Sequence, residues 1–348
     1  MNSCELSPVI ESSSLIAKHS VPPVIVVGLP RSGSSYLSHV LSCMDDWFIF
    51  DDLYPYQKAA SLGLLADTDI AQKPELITQY VSQLTWQLRA KIKFEKNFEV
   101  PNLSLDDVAA MEQALLQSLK QCSSLTWPQV LGEWITRLAI HSGKRRWGYK
   151  TPQDFMHMDE LTDIFPGVRF IYILRDPRQV MRSFKNLPRV KTNGSQDGES
   201  RQYHPFVYAL YWKIAYQKVQ AFSRRNRGPV EVVRFEDLVS MPEATAQRLA
   251  NFLETRVAGQ VISPSVNSSL NKGTIRELTN TELLICEKIA GKQMKAAGYA
   301  LSHPSPQLSD AVDLIKTTLD FAAYQIGRVV TNKRARTSVA AFVKNLGS

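Results

Sequence analysis

The stretch VPPVIVVGLPRSGSSYL, residues 21–37, constrains this chain more than any other. Its first half is a short apolar run rich in β-branched residues and ended by Gly28, the pattern of a parallel strand buried on both faces. Its second half begins a segment that sets Tyr36, Leu37, Val40, Leu41 and Met44 at helical spacing. Strand, glycine-bounded loop and helix therefore follow one another over residues 24–44. Such a unit turns backbone N–H groups and the positive end of a helix dipole toward a phosphate. The loop itself reads Gly28, Leu29, Pro30, Arg31, Ser32, Gly33, Ser34, Ser35. It keeps the glycine spacing of the GxxxxGK[ST] nucleoside-triphosphate loop, but Ser34 stands where the lysine that reaches the β and γ phosphates belongs. The positive charge has moved inside the turn, to Arg31. That arrangement suits one 5′ group better than a triphosphate with magnesium. Read alone, the loop also fits a Gly/Pro/Ser turn that binds nothing.

Further along, VRFIYIL (168–174) predicts a second buried strand, with RDPRQVMRSF running directly into a helix whose first turn holds Pro177. A helix over about 205–225 leads to VEVVRF, a third strand, and MPEATAQRLANFLE returns to helix. This alternation implies an α/β fold, a central parallel sheet with helices on both faces. Between the first and second of these strands, residues 56–142 show helical periodicity and few strand signals, with Ser104 and Asp107 spaced as a capping start. They predict a large helical insertion over the sheet, a place where an acceptor pocket is often shaped. Its Trp86, Trp127 and Trp134 are candidates to line an apolar site, with core packing as the default for such side chains. Residues 1–20 read as a loosely ordered N-terminus, 187–203 as a polar mobile loop, 21–303 as a single domain and 304–348 as a helical extension.

Two further pieces carry charge to the carboxyl edge of the sheet, where α/β proteins bind ligands. Arg175 ends the second strand and Ser183 lies eight residues on, along the following helix, so guanidinium and hydroxyl can meet one anion. The competing reading is a surface network of Arg175 with Asp176. NKGTI (271–275) adds Lys272 and Gly273, a cation on a permissive backbone.

These three pieces, in this order, resemble the sulfotransferase family that uses 3′-phosphoadenosine 5′-phosphosulfate (PAPS). In that family a P-[KR]-S-G-[ST] loop holds the 5′-phosphosulfate, which Pro30, Arg31, Ser32, Gly33 and Ser34 match, with Ser35 following. An arginine with a serine eight positions later holds the 3′-phosphate, as Arg175 and Ser183 would. A late Lys-Gly loop closes on the same phosphate, matched by Lys272 and Gly273, although Asn271 replaces the arginine of the cytosolic animal enzymes. VVRFEDLV (232–239), with Phe235 assigned to the donor site, and YKTP (149–152) resemble segments of bacterial members and of the tyrosylprotein branch. The resemblance spans roughly residues 22–300. It implies a P-loop-like three-layer fold, PAPS as donor, PAP as product, no metal, and in-line transfer of a sulfonate to a hydroxyl or amine. It also implies Arg31 at the bridging oxygen and Lys150 on the transferring sulfonate. For the base it leaves two candidates. Cytosolic members use a histidine, here His157. The tyrosylprotein branch uses a glutamate about twenty residues after the loop arginine, where this chain has Asp52 beside Asp51. Asp52 is favoured, provided burial raises its pKa toward working pH.

Composition narrows the alternatives. With 41 basic against 33 acidic residues the formal charge is +8, which suits an anionic ligand, a nucleic acid or a membrane surface alike. The charge is not gathered into a patch interleaved with stacking aromatics, which argues against a nucleic-acid-binding module. Four scattered cysteines, without a CxxC pair, fit reduced thiols in the cytosol and no zinc site. Residues 1–20 lack the basic and apolar regions of a signal peptide, and apolar runs are too short to span a bilayer. The expectation is a cytoplasmic enzyme acting on a small-molecule or lipid-like acceptor. The basic, partly amphipathic C-terminal region can touch an anionic membrane or partner weakly, with a solvated helix as the bland alternative. The rival functions are a P-loop kinase or ATPase and a non-catalytic nucleotide-binding module. FIYIL ends in arginine rather than in a magnesium-binding carboxylate, which opposes the first.

Overall fold

A computed structural model describes residues 22–94, 100, 102–187, 203–261 and 275–331. Five strands, β1 (Val24–Gly28), β2 (Trp47–Asp51), β3 (Arg146–Lys150), β4 (Arg169–Leu174) and β5 (Val230–Arg234), form one parallel sheet in the order β2-β3-β1-β4-β5. Successive side chains point to opposite faces, and both faces are covered. Val24, Val26, Ile49, Ile171, Ile173 and Val233 pack beneath α1 (Ser34–Ser42), α9 (Phe235–Ser240) and α10 (Pro242–Phe252). Ile25, Val27, Phe48, Phe50, Phe170 and Tyr172 face the second layer. That layer includes α5 (Trp127–His141), α8 (Pro205–Arg225) and α11 (Asn280–Ala296). This is the three-layer α/β arrangement the sequence predicts.

The apolar runs mark β1, β4 and β5, but β2 and β3 were not legible as strands. β3 reads RWGYK, charged at both ends with a glycine at its centre. The glycine is what lets β3 lie against β1. Gly148 is in register with Val24, and a Cβ at 148 would sit 2.3 Å from Val24 Cγ1 and 2.4 Å from its carbonyl oxygen. A residue that reads as a strand breaker is here required by the neighbour.

Between β2 and β3 run α2 (Pro55–Ser61), α3 (Pro74–Phe94), α4 (Leu105–Leu119) and α5. At the start of α4, Ser104 Oγ accepts from the Asp107 N–H at 3.1 Å and the Asp107 carboxylate accepts from the Ser104 N–H at 2.9 Å, completing the capping box. The tryptophans of this region do not share a site. Trp127 and Trp134 are core residues, against Tyr80 and Phe50 respectively, while Trp86 is 68% exposed. After β3 come a 3-10 turn (Pro152–His157) and α6 (Met158–Ile164). Between β4 and α8 lies α7 (Pro177–Lys185), and α12 (Leu308–Thr331) ends the described chain. Among the described residues, no helix is long and apolar enough to cross a membrane.

The order of strands matters for the site. From β1 the chain leaves toward β2 on one side of the sheet, and from β4 it leaves toward β5 on the other. The reversal falls between β1 and β4, so their carboxyl ends open a crevice there. Arg31 follows β1 and Arg175 follows β4.

Candidate active site

The loop after β1 is a sharp turn. Arg31 and Gly33 have positive φ (72° and 92°), and the Ser32 N–H donates to the Leu29 carbonyl at 3.1 Å. Gly33 is the N-cap of α1, with no side chain satisfying the first-turn N–H groups. A helix N-terminus of this kind can take an anion. Glycine is obligatory at 33, because a Cβ there would lie 2.2 Å from the Phe235 ring. Phe235, the first residue of α9, thus walls the loop from the β5 side.

The two separated basic motifs converge on Arg31. Its Nε donates to Ser183 Oγ at 3.1 Å, across 152 residues of sequence, and Arg175 Nη1 donates to the Arg31 carbonyl at 2.9 Å. The Arg175 guanidinium carbon lies 4.1 Å from the centre of the Phe235 ring. Trp212 of α8 fixes the Arg175 backbone by donating from its indole N–H to the carbonyl at 2.8 Å. The surface pairing of Arg175 with Asp176 is not formed. Asp176 is bound instead by Arg178, at 2.7 Å, and caps α7.

The electrostatics of this cluster favour an anion. Burial pushes the pKa of both guanidiniums down, and for Arg175 the charge of Arg31 adds to the effect while Glu236 opposes it. Neither guanidinium has an ion pair among the described residues, and Arg175 Nε is buried without a hydrogen-bond partner. Two adjacent, partly desolvated cations that keep their charge call for a negative group between them. The residues present therefore fit a phosphate or phosphosulfate.

A second cluster lies at the ends of β2 and β3. The Lys150 ammonium, 2% exposed, sits 2.9 Å from Asp51 Oδ1 and 2.6 Å from Asp52 Oδ1, and donates to Ser35 Oγ at 3.3 Å. Burial alone would lower its pKa, but the two carboxylates outweigh it and hold the net value above the usual lysine range. Ser35, in the first turn of α1, also donates to Asp51 at 3.3 Å. The carboxylates are thereby joined to the phosphate loop. Asp52 has positive φ (57°), accepts from the Tyr54 hydroxyl at 3.3 Å and is 39% exposed in its side chain. The burial on which its basicity was to rest is absent, and a direct ion pair with Lys150 stands in its place. His157 stacks on Tyr56, ring centres 4.4 Å apart, and burial lowers its pKa. It makes no hydrogen bond to Arg31, Lys150, Arg175 or Ser183. Lys272 and Gly273 lie outside the described residues.

One group near this cluster was missed. Asp154, in the turn that carries His157, is fully buried and accepts from Gln57 Nε2 at 2.7 Å. Burial lifts its pKa to about 7, against the opposing effect of the Gln57 bond. The signal was present, a carboxylate between Pro152 and Phe155, but an acidic residue at a turn reads as solvated until the fold covers it.

Fold and site together define an α/β protein with a glycine-bounded loop that opens a helix beside two arginines. Comparison with family models places it: residues 22–258 match the model of a sulfotransferase family, Sulfotransfer_3, and the chain belongs to that family. It is a sulfonyl-transferring enzyme by that membership. Among solved structures it is similar to the sulfotransferase domain from the curacin biosynthetic pathway (20% identity, 81% of this chain and 99% of that one, TM-score 0.46). It is also similar to the sulfotransferase domain of the Synechococcus PCC 7002 olefin synthase (18%, 86% and 94%, 0.44) and a sulfotransferase from Alicyclobacillus acidocaldarius (13%, 82% and 98%, 0.42). No curated protein matches this chain in sequence.

Proposed function

We propose that the enzyme takes its sulfonate from PAPS and passes it to a hydroxyl or amine of a small-molecule or lipid-like acceptor in the cytoplasm. The observation that carries this reading is the convergence of Arg31, Ser183 and Arg175 at the mouth of α1, two cations without an ion pair among the described residues, beside a helix N-terminus. The N–H groups of Gly33, Ser34 and Ser35 at the start of α1 hold the 5′ group, and Arg31 meets the charge that develops on the bridging oxygen. Preorganised charge of that kind is worth about 10²–10³ in rate. Arg175 and Ser183, with Lys272 and Gly273, take the 3′-phosphate, and Phe235 borders it. A triphosphate donor needs no such second phosphate site.

On the acceptor side, Lys150 keeps Asp51 and Asp52 next to Ser35, and so next to the transferring group. Asp52, the more exposed of the two carboxylates, takes the acceptor proton; in place of the expected burial, its openness and its position beside Lys150 and Ser35 favour it. The acceptor oxygen or nitrogen bonds to sulfur while the bond from sulfur to the bridging oxygen breaks, its electron pair staying on the phosphate of PAP. His157, stacked on Tyr56, is the weaker candidate for the proton.

Calorimetry with PAP and with ATP/Mg²⁺ on the wild type and Arg175→Ala tests the donor assignment. PAP binds the wild type, ATP/Mg²⁺ does not compete, and the variant binds PAP about 10–100-fold more weakly, the worth of one charge-assisted contact. Equal PAP affinity of the two proteins overturns the 3′-phosphate assignment. An acceptor screen with PAPS, read by the mass gain of one sulfonate, then identifies the acceptor class.

A further inference from the structure

The helix α12 has two apolar faces, and the fold uses only one. On the inner side Phe321 meets the His204 ring, centres 5.4 Å apart, and Thr318 Oγ1 lies 3.2 Å from His204 Nε2. At the start of the helix Asp310 accepts from the Thr281 N–H at 3.2 Å. The outer side carries Leu308, Val312, Ile315, Leu319 and Ile326, exposed by 93%, 68%, 61%, 66% and 65%. Isolated apolar residues on a surface need no explanation, but a contiguous row of this kind marks a contact.

The spacing says what kind of contact. The five residues are separated by four, three, four and seven positions, a heptad seam that keeps one narrow line along the helix. Its flanks hold Ala311, Ala322 and Ala323, with one exposed acid, Asp313, and one lysine, Lys316. A helix lying in a lipid interface has a broad apolar face flanked by many Lys and Arg, which this seam lacks. A narrow a/d seam with small flanks fits another helix.

About Leu319 the seam is matched in both directions at seven and at eleven residues, Leu308 and the 66% exposed Val330 being the pair at eleven. Val312 and Ile326 each stand seven residues from Leu319. Charge is ordered along the helix. Asp310 and Asp313 lie at its start, whereas the sequence after it holds Lys333, Arg334 and Arg336, with no acid from 332 to 348. An antiparallel partner of the same kind sets the acidic start of one helix beside the end from which the basic sequence of the other continues, and opposes the two helix dipoles. A parallel partner brings like charges together at both ends. We propose that α12 is a self-association surface, pairing antiparallel with α12 of a second copy about a two-fold axis beside Leu319.

Sedimentation of the full chain over a range of concentrations tests this. The wild type dimerises, and Leu319→Asp raises the dimer dissociation constant on the order of a hundredfold, because each copy then buries an unpaired charge in the seam. Circular dichroism and thermal melting of dilute samples are unchanged in the variant, since Leu319 is exposed in the single chain. A wild type that is monomeric throughout, or a variant that dimerises equally well, overturns the proposal. Cross-linking tests the direction. Leu319→Cys links to itself, and Val312→Cys links efficiently only when mixed with Ile326→Cys. Efficient self-linking of Val312→Cys overturns the antiparallel arrangement. A monomeric wild type that sediments with phosphatidylserine vesicles, and no longer does so as Leu319→Asp, replaces the second copy by a membrane.

Discussion

Replacing Asp154 by asparagine isolates the effect of one buried proton. The carboxyl has no solvent exposure, accepts from Gln57 Nε2 at 2.7 Å and lies beside the buried Tyr149 hydroxyl. Burial lifts its pKa from 3.8 to about 7, against the opposing hydrogen bonds of Gln57 and Tyr149. In the unfolded chain the group ionises near its ordinary value. The folded state therefore binds the proton more tightly, and stability falls as pH rises between the two values. A shift of roughly three units at about 1.4 kcal/mol per unit costs the folded state about 4 kcal/mol above pH 7. Asparagine keeps an oxygen for the Gln57 amide, offers its own N–H₂, and does not titrate. Urea unfolding of both proteins at several pH values reads the difference. Relative to the variant, the wild type loses about 3 kcal/mol between pH 5 and pH 8, with the loss ending near pH 7. A difference between the two proteins that is constant over this range refutes the buried-proton reasoning.

Two other perturbations address the site directly. Gly33→Ala forces a Cβ to within 2.2 Å of the Phe235 ring at a φ of 92°, so PAP affinity measured by calorimetry falls at least about tenfold, and Phe235→Ala in the same chain restores part of it. Asp52→Asn lowers turnover by about 10²–10⁴ while leaving PAP binding near that of the wild type; nearly unchanged turnover removes Asp52 as the base and directs attention to His157.

The phosphate loop was legible because its chemistry is local. Gly28, Arg31 and Gly33 sit within six residues, between an apolar run and a helical pattern, and the absence of the triphosphate lysine is visible in the string itself. The pairing of Arg175 with Ser183 was legible as a motif, but not the geometry that joins it to Arg31. The hydroxyl of Ser183 accepts from Arg31, and Arg175 holds the Arg31 carbonyl rather than reaching across its own helix. The strands β2 and β3 were harder to see: β3 has charged ends and a central glycine, and WFIFD of β2 lies directly beside a predicted helical stretch. They nonetheless supply Asp51, Asp52 and Lys150. The expected burial of Asp52 failed for a related reason: spacing locates a carboxylate along the chain but not its cover or its partner. Lys150, 98 residues away in sequence and in register with Asp51 on the adjacent strand, provides the partner.

By itself the sequence determined the class of fold and the place of the glycine-bounded loop, since these depend on residue order and period. Tertiary structure alone decided how the charges are shared. It buried Lys150 between two carboxylates, left Arg31 and Arg175 without an ion pair among the described residues, sealed Asp154 from water, and left one apolar seam of α12 outside the core. The pairing at Arg31 joins chain segments 152 residues apart, and desolvation acts only once the fold has brought them together.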